Sequence, residues 1–204
     1  MKFKLLPTLL FYFYGYILFG QSLEIGPMFN LERTTFTIPT EGFSIILGGN
    51  GGISENTRNT GRDSNIAVGG YISYYFDGGY SDRFAVSAEL FYNKTSSPEF
   101  GDNSFSTISL IPYFNISFFD DFPLFFGFGG GIAFAINTPT FEDDFTNERV
   151  KNVDIPLKLF TAYRLENIIT IELGVHGSVT KIIEDIASRN SYYFGVKVPL
   201  NKLL

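Results

Sequence analysis

From Leu23 onward the chain switches between apolar and polar or small residues at every step, in one segment after another. Leu23, Ile25, Pro27, Phe29 and Leu31 stand against Glu24, Gly26, Met28, Asn30 and Glu32. Ile66, Val68, Gly70, Ile72, Tyr74 and Phe76 oppose Ala67, Gly69, Tyr71, Ser73 and Tyr75. Beyond the turn signal at 77–82, Phe84, Val86, Ala88, Leu90 and Tyr92 oppose Ala85, Ser87, Glu89, Phe91 and Asn93. Side chains on a strand point alternately to its two faces, so a period of two predicts two-faced strands, here joined as an antiparallel hairpin.

The pattern recurs five more times. Ile108, Leu110, Phe114, Ile116 and Phe118 face Thr107, Ser109, Tyr113, Asn115 and Ser117. Pro112 sits on that apolar row without a donor and predicts a bulge or weak point. Leu124, Phe126, Phe128, Ile132, Phe134 and Ile136 alternate with Gly127, Gly129, Gly131, Ala133 and Ala135. Val153, Ile155, Leu157 and Leu159 alternate with Asp154, Lys158 and Phe160, ending near Arg164. A turn at 165–167 leads to Ile169, Ile171, Leu173, Val175 and Val179 against Thr170, Glu172, Gly174, His176 and Ser178. Tyr192, Phe194, Val196 and Val198 close the series against Tyr193, Gly195 and Lys197. Residues 34–64 read as a long irregular loop with a short hairpin near Phe43 and Leu47, and 95–103 as another. The result is about eight strands, joined by short turns alternating with longer loops.

Volume decides which row is inside. An eight-stranded interior is only wide enough for side chains to fill it. The apolar rows carry Phe, Ile, Leu and Val at nearly every position, too much bulk for that space, whereas the other row is small and polar. The predicted fold is therefore all-β: an eight-stranded antiparallel up-and-down barrel of the transmembrane, outer-membrane type, apolar side outward. Tyr74, Phe76, Phe84, Phe118 and Tyr163 near the short turns, and Tyr92, Phe134 and Tyr192 near the long loops, read as two interfacial girdles. The competing reading is a secreted soluble barrel of lipocalin type, with the apolar row inside around a lipophilic ligand.

Composition sharpens this in three ways. Net charge is −6, which argues against a nucleic-acid partner. There is no cysteine, so disulfides and thiolate metal sites are excluded. Lys2 and Lys4 ahead of an apolar run to Phe19, then Gly20-Gln21-Ser22, predict a cleaved secretory signal over residues 1–20 and a barrel domain over 21–204.

The chain resembles the small outer-membrane β-barrel family of Gram-negative bacteria (the outer membrane protein beta-barrel domain, PorT-like group). The likeness rests on Phe19-Gly20-Gln21, the Gly- and Tyr-rich hairpin from Gly70 to Asn93, Ile111-Pro112-Tyr113, Ile155-Pro156-Leu157-Lys158 and Tyr193-Phe194-Gly195-Val196. It implies residence in the cell outer membrane, contact with membrane lipid and lipopolysaccharide, and insertion by an assembly machinery that reads an aromatic residue near the C-terminus, here Phe194. Extracellular proteins or small ligands would be met at the long loops.

Chemistry is sparse. The inward row carries Glu24, Glu32, Glu89, Asp154, Lys158, Arg164, Glu172 and Lys197. Buried charges must be paired, so Glu24, Glu89, Asp154, Lys158, Arg164, Glu172 and Lys197 are read as a structural network plugging the lumen. The turn at 165–167 sets Glu172 diagonally near Lys158. A similar count across the last loop sets Lys197 near Gly174, one pair away from Glu172, so Glu172 is expected to pair with Lys158 or Lys197. His176, the single histidine, stands two residues from Ser178, too little for a catalytic set, which needs nucleophile, base and orienting acid together. Glu142, Asp143, Asp144 and Glu148 lack the spacing of a calcium loop. Gly127-Phe128-Gly129-Gly130-Gly131 has neither the Lys nor the helix of a phosphate loop. The expected protein is non-enzymatic and needs no cofactor, with a structural or binding role.

Overall fold

The computed structural model describes residues 23–39, 57–59, 63–76, 84–96, 104–119, 122–138, 151–166, 168–180 and 188–203. The expected signal segment, the acidic stretch 142–148 and the hairpin expected near Phe43 and Leu47 lie outside the described residues.

The strands are β1 (Leu23–Pro39), β2 (Thr57–Asn59), β3 (Asp63–Tyr75), β4 (Phe84–Ser96), β5 (Ser104–Ile116), β6 (Leu124–Gly130), β7 (Ile132–Asn137), β8 (Val153–Asp154), β9 (Pro156–Leu165), β10 (Ile169–Ser178) and β11 (Ser188–Lys197). One helical turn, α1 (Leu200–Leu203), follows. Every pairing is antiparallel. The hydrogen-bonded path runs β4-β3-β1-β11-β10-β9-β6-β5, and β5 returns to pair with β4, so the sheet closes on itself. β6 and β7 are two halves of one stave, as are β8 and β9, and β2 is a short flap on the end of β1. Among the described residues this makes a closed eight-stranded antiparallel barrel. Closure gives every stave a hydrogen-bonded neighbour on both sides.

Burial follows the sequence period with the apolar row outside. Ile25, Phe29, Leu31, Ile66, Val68, Ile72, Leu90, Phe114, Phe128, Leu159 and Leu173 are exposed on the outer wall. Glu24, Asn30, Glu32, Glu89, Lys158, Glu172 and Lys197 are buried within. Both expected aromatic rings are present. At the short-turn end Phe118 packs on Phe126, and Phe122 on both Phe119 and Tyr163; at the other end Tyr92, Phe134 and Tyr192 face outward.

Several local expectations are corrected. β4–β5 pairing runs unbroken through Ala88↔Pro112, so Pro112 causes no bulge on that side. On the other side the expected weak point is present: pairing stops at Tyr113↔Gly129 and resumes at Leu110↔Ile132, a gap facing Pro112, which has no N–H to give. The register shift falls instead between Ser106 and Thr107, opposite Asn137 and Ala135. The loops are also shorter than the alternation implied. β1 continues to Pro39, β2 pairs with its end, β4 runs to Ser96, and β5 and β11 begin at Ser104 and Ser188. At the ends of β4 and β11 both faces turn polar, so the period fades while the ladder continues.

The closure seam has an added clasp. Val198 N–H donates to the Pro27 carbonyl at 3.2 Å, the last backbone link between the two ends. One residue into α1, the Asn201 side chain accepts from Ile25 N–H at 3.0 Å and donates to the Leu23 carbonyl at 2.6 Å. A side-chain amide thus takes the place of the next peptide group along β1.

Candidate functional site in the barrel lumen

Inward residues from all eight staves stack in layers along the barrel axis. At the short-turn end Arg164 pairs with Glu24, whose carboxylate also accepts from the Tyr75 hydroxyl at 3.2 Å. The Arg164 guanidinium lies 4.6 Å from the centre of the Tyr75 ring. Beside it, Ser87 donates to Ser73 at 2.8 Å and Asn115 to Ser87 at 3.2 Å.

The middle layer is a square of alternating charges. Lys158 lies 2.5 Å from Glu89 and 3.1 Å from Glu172; Lys197 lies 2.6 Å from Glu89 and also pairs with Glu172. All four side chains are 4% exposed or less. Two cations and two anions cancel, and each charge has two opposite neighbours, the condition under which buried ions are tolerated. Aromatic faces enclose the cations. Lys158 Nζ is 4.6 Å from the Tyr113 centroid and 4.5 Å from that of Phe160, and Lys197 Nζ is 4.7 Å from that of Tyr113. Lys197 also donates to the Tyr113 hydroxyl at 2.7 Å.

Glycine makes room for these rings. A Cβ at Gly127 would collide with the Phe160 ring, and one at Gly129 with the Pro112 carbonyl and Tyr113. The small row of the β6–β7 stave is therefore the imprint of the bulky side chains that lie across it.

Above the square, His176 is stacked between Phe91 (centroids 5.9 Å apart, 14° between planes) and Tyr193 (4.5 Å, 17°). Its Nδ1 is 3.4 Å from Glu32, which also accepts from the Asn93 amide. Toward the long loops, Asp154 accepts from Ser178 and Thr180, both at 2.7 Å, and from Arg189 at 3.1 Å. Thr34 is 2.9 Å from Ser191, hydroxyl to hydroxyl, and accepts from Asn65 at 2.9 Å.

The seven charged positions singled out in the sequence occupy three clusters: Glu24 with Arg164, the Glu89–Lys158–Glu172–Lys197 square, and Asp154. Lys197 is not near Gly174. The register places it opposite Thr170, while Gly174 faces Tyr193. Arg189, Asn93 and the Glu32–His176 contact were missed. Arg189 shares the odd-numbered row of Tyr193 and Lys197, but 188–191 is polar on both faces, so no alternation marks the strand there in the sequence. Ser178 bonds Asp154, not His176, and the His176 Nε2 has no partner among the described residues.

A cavity of about 20 Å³ lies between the square and the short-turn end, lined by Glu24, Tyr75, Tyr113, Phe160, Arg164 and Lys197. That is room for one water, against the several hundred Å³ of a small-molecule pocket.

No family model and no curated protein matches the chain. Among solved structures it is similar to Neisserial surface protein A, with 8% identity and a TM-score of 0.46, over 86% of this chain and 99% of that one. It is also similar to Ail, the attachment invasion locus protein of Yersinia pestis, solved with the heparin analogue sucrose octasulfate: 10% identity and a TM-score of 0.48, over 87% and 98%. The N-terminal β-barrel domain of Pseudomonas aeruginosa OprF gives 11% and 0.41, over 83% and 96%. At such scores the barrel assignment rests on the closed register described above.

Proposed function

We propose that this chain is an integral β-barrel of a Gram-negative outer membrane, of the small PorT-like kind, with a structural or binding role and no catalysis. One observation carries the reading: the outer wall is a continuous belt of exposed Phe, Leu, Ile and Val, and over the span of that belt the described ionised groups are inside. In water that belt would be an aggregation surface; in a bilayer it is what lipid requires. The strands of 10 to 17 residues that cross the belt suit a tilted span, which needs roughly 9–11 residues.

The lumen is a plug, held by the charge square and its aromatic collar. The short turns at 77–82, 119–123 and 164–167 face the periplasm, and the longer connections face outward for partner contact. A soluble carrier of a lipophilic ligand finds no support, because the interior is ionic and has no room.

The test is location together with migration. Cells expressing the full chain should yield it in the carbonate-resistant membrane pellet. Unboiled protein should run faster on a denaturing gel than boiled protein, as an intact barrel does. Recovery from the aqueous periplasm without detergent would overturn the reading.

A further inference from the structure

The outer wall carries an asymmetry that the plugged-barrel reading does not use. Along the outward rows within the bounds of the strands, wherever side chains are described, the charged residues are Arg33 and Lys94; the exposed Lys151 lies two residues before β8. Arg33 and Lys94 are both cations, both are exposed, and both stand at the long-loop end of the apolar belt. They flank β3, since Arg33 pairs with Ser64 and Lys94 with Ile66. Two strand spacings and a two-residue offset along β3 separate them, roughly 12 Å between backbones, which two long side chains can close onto one anion. Neither makes an ion pair or a side-chain hydrogen bond with a described residue, in a protein whose inward cations are all paired. Among the described strand residues the outward row at the short-turn end is Tyr74, Phe84, Tyr163 and Leu165, with Phe76 and Phe118 just beyond, and carries no charge.

Directly below Arg33, toward the mid-belt, a groove of about 330 Å³ opens on the wall, lined by Leu31, Leu173, Tyr192 and Phe194, with Arg33 and Ser64 at its rim. Leu31 and Leu173 both pair with Phe194, so the floor crosses β1, β11 and β10 without a break. An apolar trough under a cationic rim has the shape and charge of one kind of occupant.

We infer that Arg33 and Lys94 bind the phosphate of an anionic lipid in the long-loop leaflet, with one acyl chain lying along the Leu31–Leu173–Phe194 groove. The inference rests on the membrane reading above and assigns that reading a lipid class and a site. Guanidinium and ammonium donors supply charge-assisted hydrogen bonds to phosphate oxygens, and the Ser64 hydroxyl stands between them. At the edge of the belt, partial dehydration strengthens such bonds relative to bulk water.

The experiment uses the full chain in detergent micelles and native mass spectrometry, with phosphatidic acid and phosphatidylcholine of identical acyl chains as probes. Wild-type protein should retain phosphatidic acid at least tenfold over phosphatidylcholine. The Arg33→Ala/Lys94→Ala double variant should lose that preference, Arg33→Lys should keep most of it, and Lys151→Ala, another exposed cation, should keep all of it. If the double variant fails to fold, Ser64→Asp sets an anion between the two cations and should abolish the preference by itself. Equal retention of the two lipids, or an equal loss in Lys151→Ala, would overturn the site. Displacement by millimolar inorganic phosphate would mean a free-anion site and would also overturn it. Failure of the membrane reading is a separate result: the chain would then show no gel shift between unboiled and boiled samples.

Discussion

Lys158→Ala is the most informative single change. Lys158 is fully buried and holds Glu89 at 2.5 Å and Glu172 at 3.1 Å. Removing it leaves two carboxylates sharing Lys197, one uncompensated negative charge in the lumen. Loss of one partner from a buried pair costs about 3–5 kcal/mol. Lys197 still touches both carboxylates, so the lower end applies, ~3 kcal/mol, or roughly a hundredfold in the unfolding equilibrium. Lys158→Met separates charge from packing, because it keeps most of the stem between Tyr113 and Phe160. If charge dominates, Met should be nearly as damaging as Ala; if ring packing dominates, Met should recover most of the loss. The chain has no Trp, so urea unfolding in vesicles is best followed by far-UV circular dichroism and by the gel shift. Glu172→Ala should cost a similar amount, and Lys158→Ala/Glu172→Ala should cost less than the two single changes together by ~1 kcal/mol or more, the mark of residues sharing one network. Single variants within ~0.5 kcal/mol of wild type, the range of an ordinary surface change, would refute the reasoning.

Other consequences are open to equally direct tests. In planar bilayers the wild-type chain should show no stable porin-sized conductance, whereas Lys158→Ala or Glu172→Ala should open small, transient ones; large wild-type channels would refute the plug. His176→Phe should preserve the ring stack with Phe91 and Tyr193 but strip Glu32 of one partner, costing about 1–3 kcal/mol in urea unfolding. Gly129→Val would press on the Pro112 carbonyl and Tyr113, and overpacking of this kind should lower stability by about 1–3 kcal/mol in the same assay. Protease added to intact cells should cut between residues 40 and 56 and spare the short turns; cutting at the short turns alone would reverse the orientation.

Facing was legible in the sequence because a period of two is a local property. Leu90 and Glu89 are neighbours in the chain, and their contrast needs no partner to be read. Partnership across the barrel was harder. Glu89 meets Lys158 from 69 residues away and from a stave that is not its neighbour, a contact that exists only because the sheet closes. Lys158 does meet Glu172, but not as a diagonal neighbour: Glu172 pairs with Ala162 and Lys158 with His176, and the long lysine side chain spans the offset. Lys197 pairs with Glu172 as expected, but its register opposite Thr170 was not legible, because the sequence between β10 and β11 carries no tight-turn signal to count from. Strand ends were lost where both faces are polar, as at the ends of β4 and β11. The inward positions of Phe105, Ile111 and Phe125 were not signalled either, because an aromatic or aliphatic residue on the polar row looks like an exception until the glycines opposite it are located.

Which row faces lipid can be read one residue at a time, since the chain has no native cysteine. Nitroxide labels placed singly at Leu90, Phe114, Leu159 and Leu173 in vesicle-inserted protein should collide readily with oxygen, which concentrates in the bilayer, and little with a water-soluble nickel chelate. Labels at Ser87 and Ser109 on the opposite row should be shielded from both reagents by the packed lumen. Free access of the nickel chelate to Leu90, Phe114, Leu159 and Leu173 would place that row in water and contradict the membrane barrel.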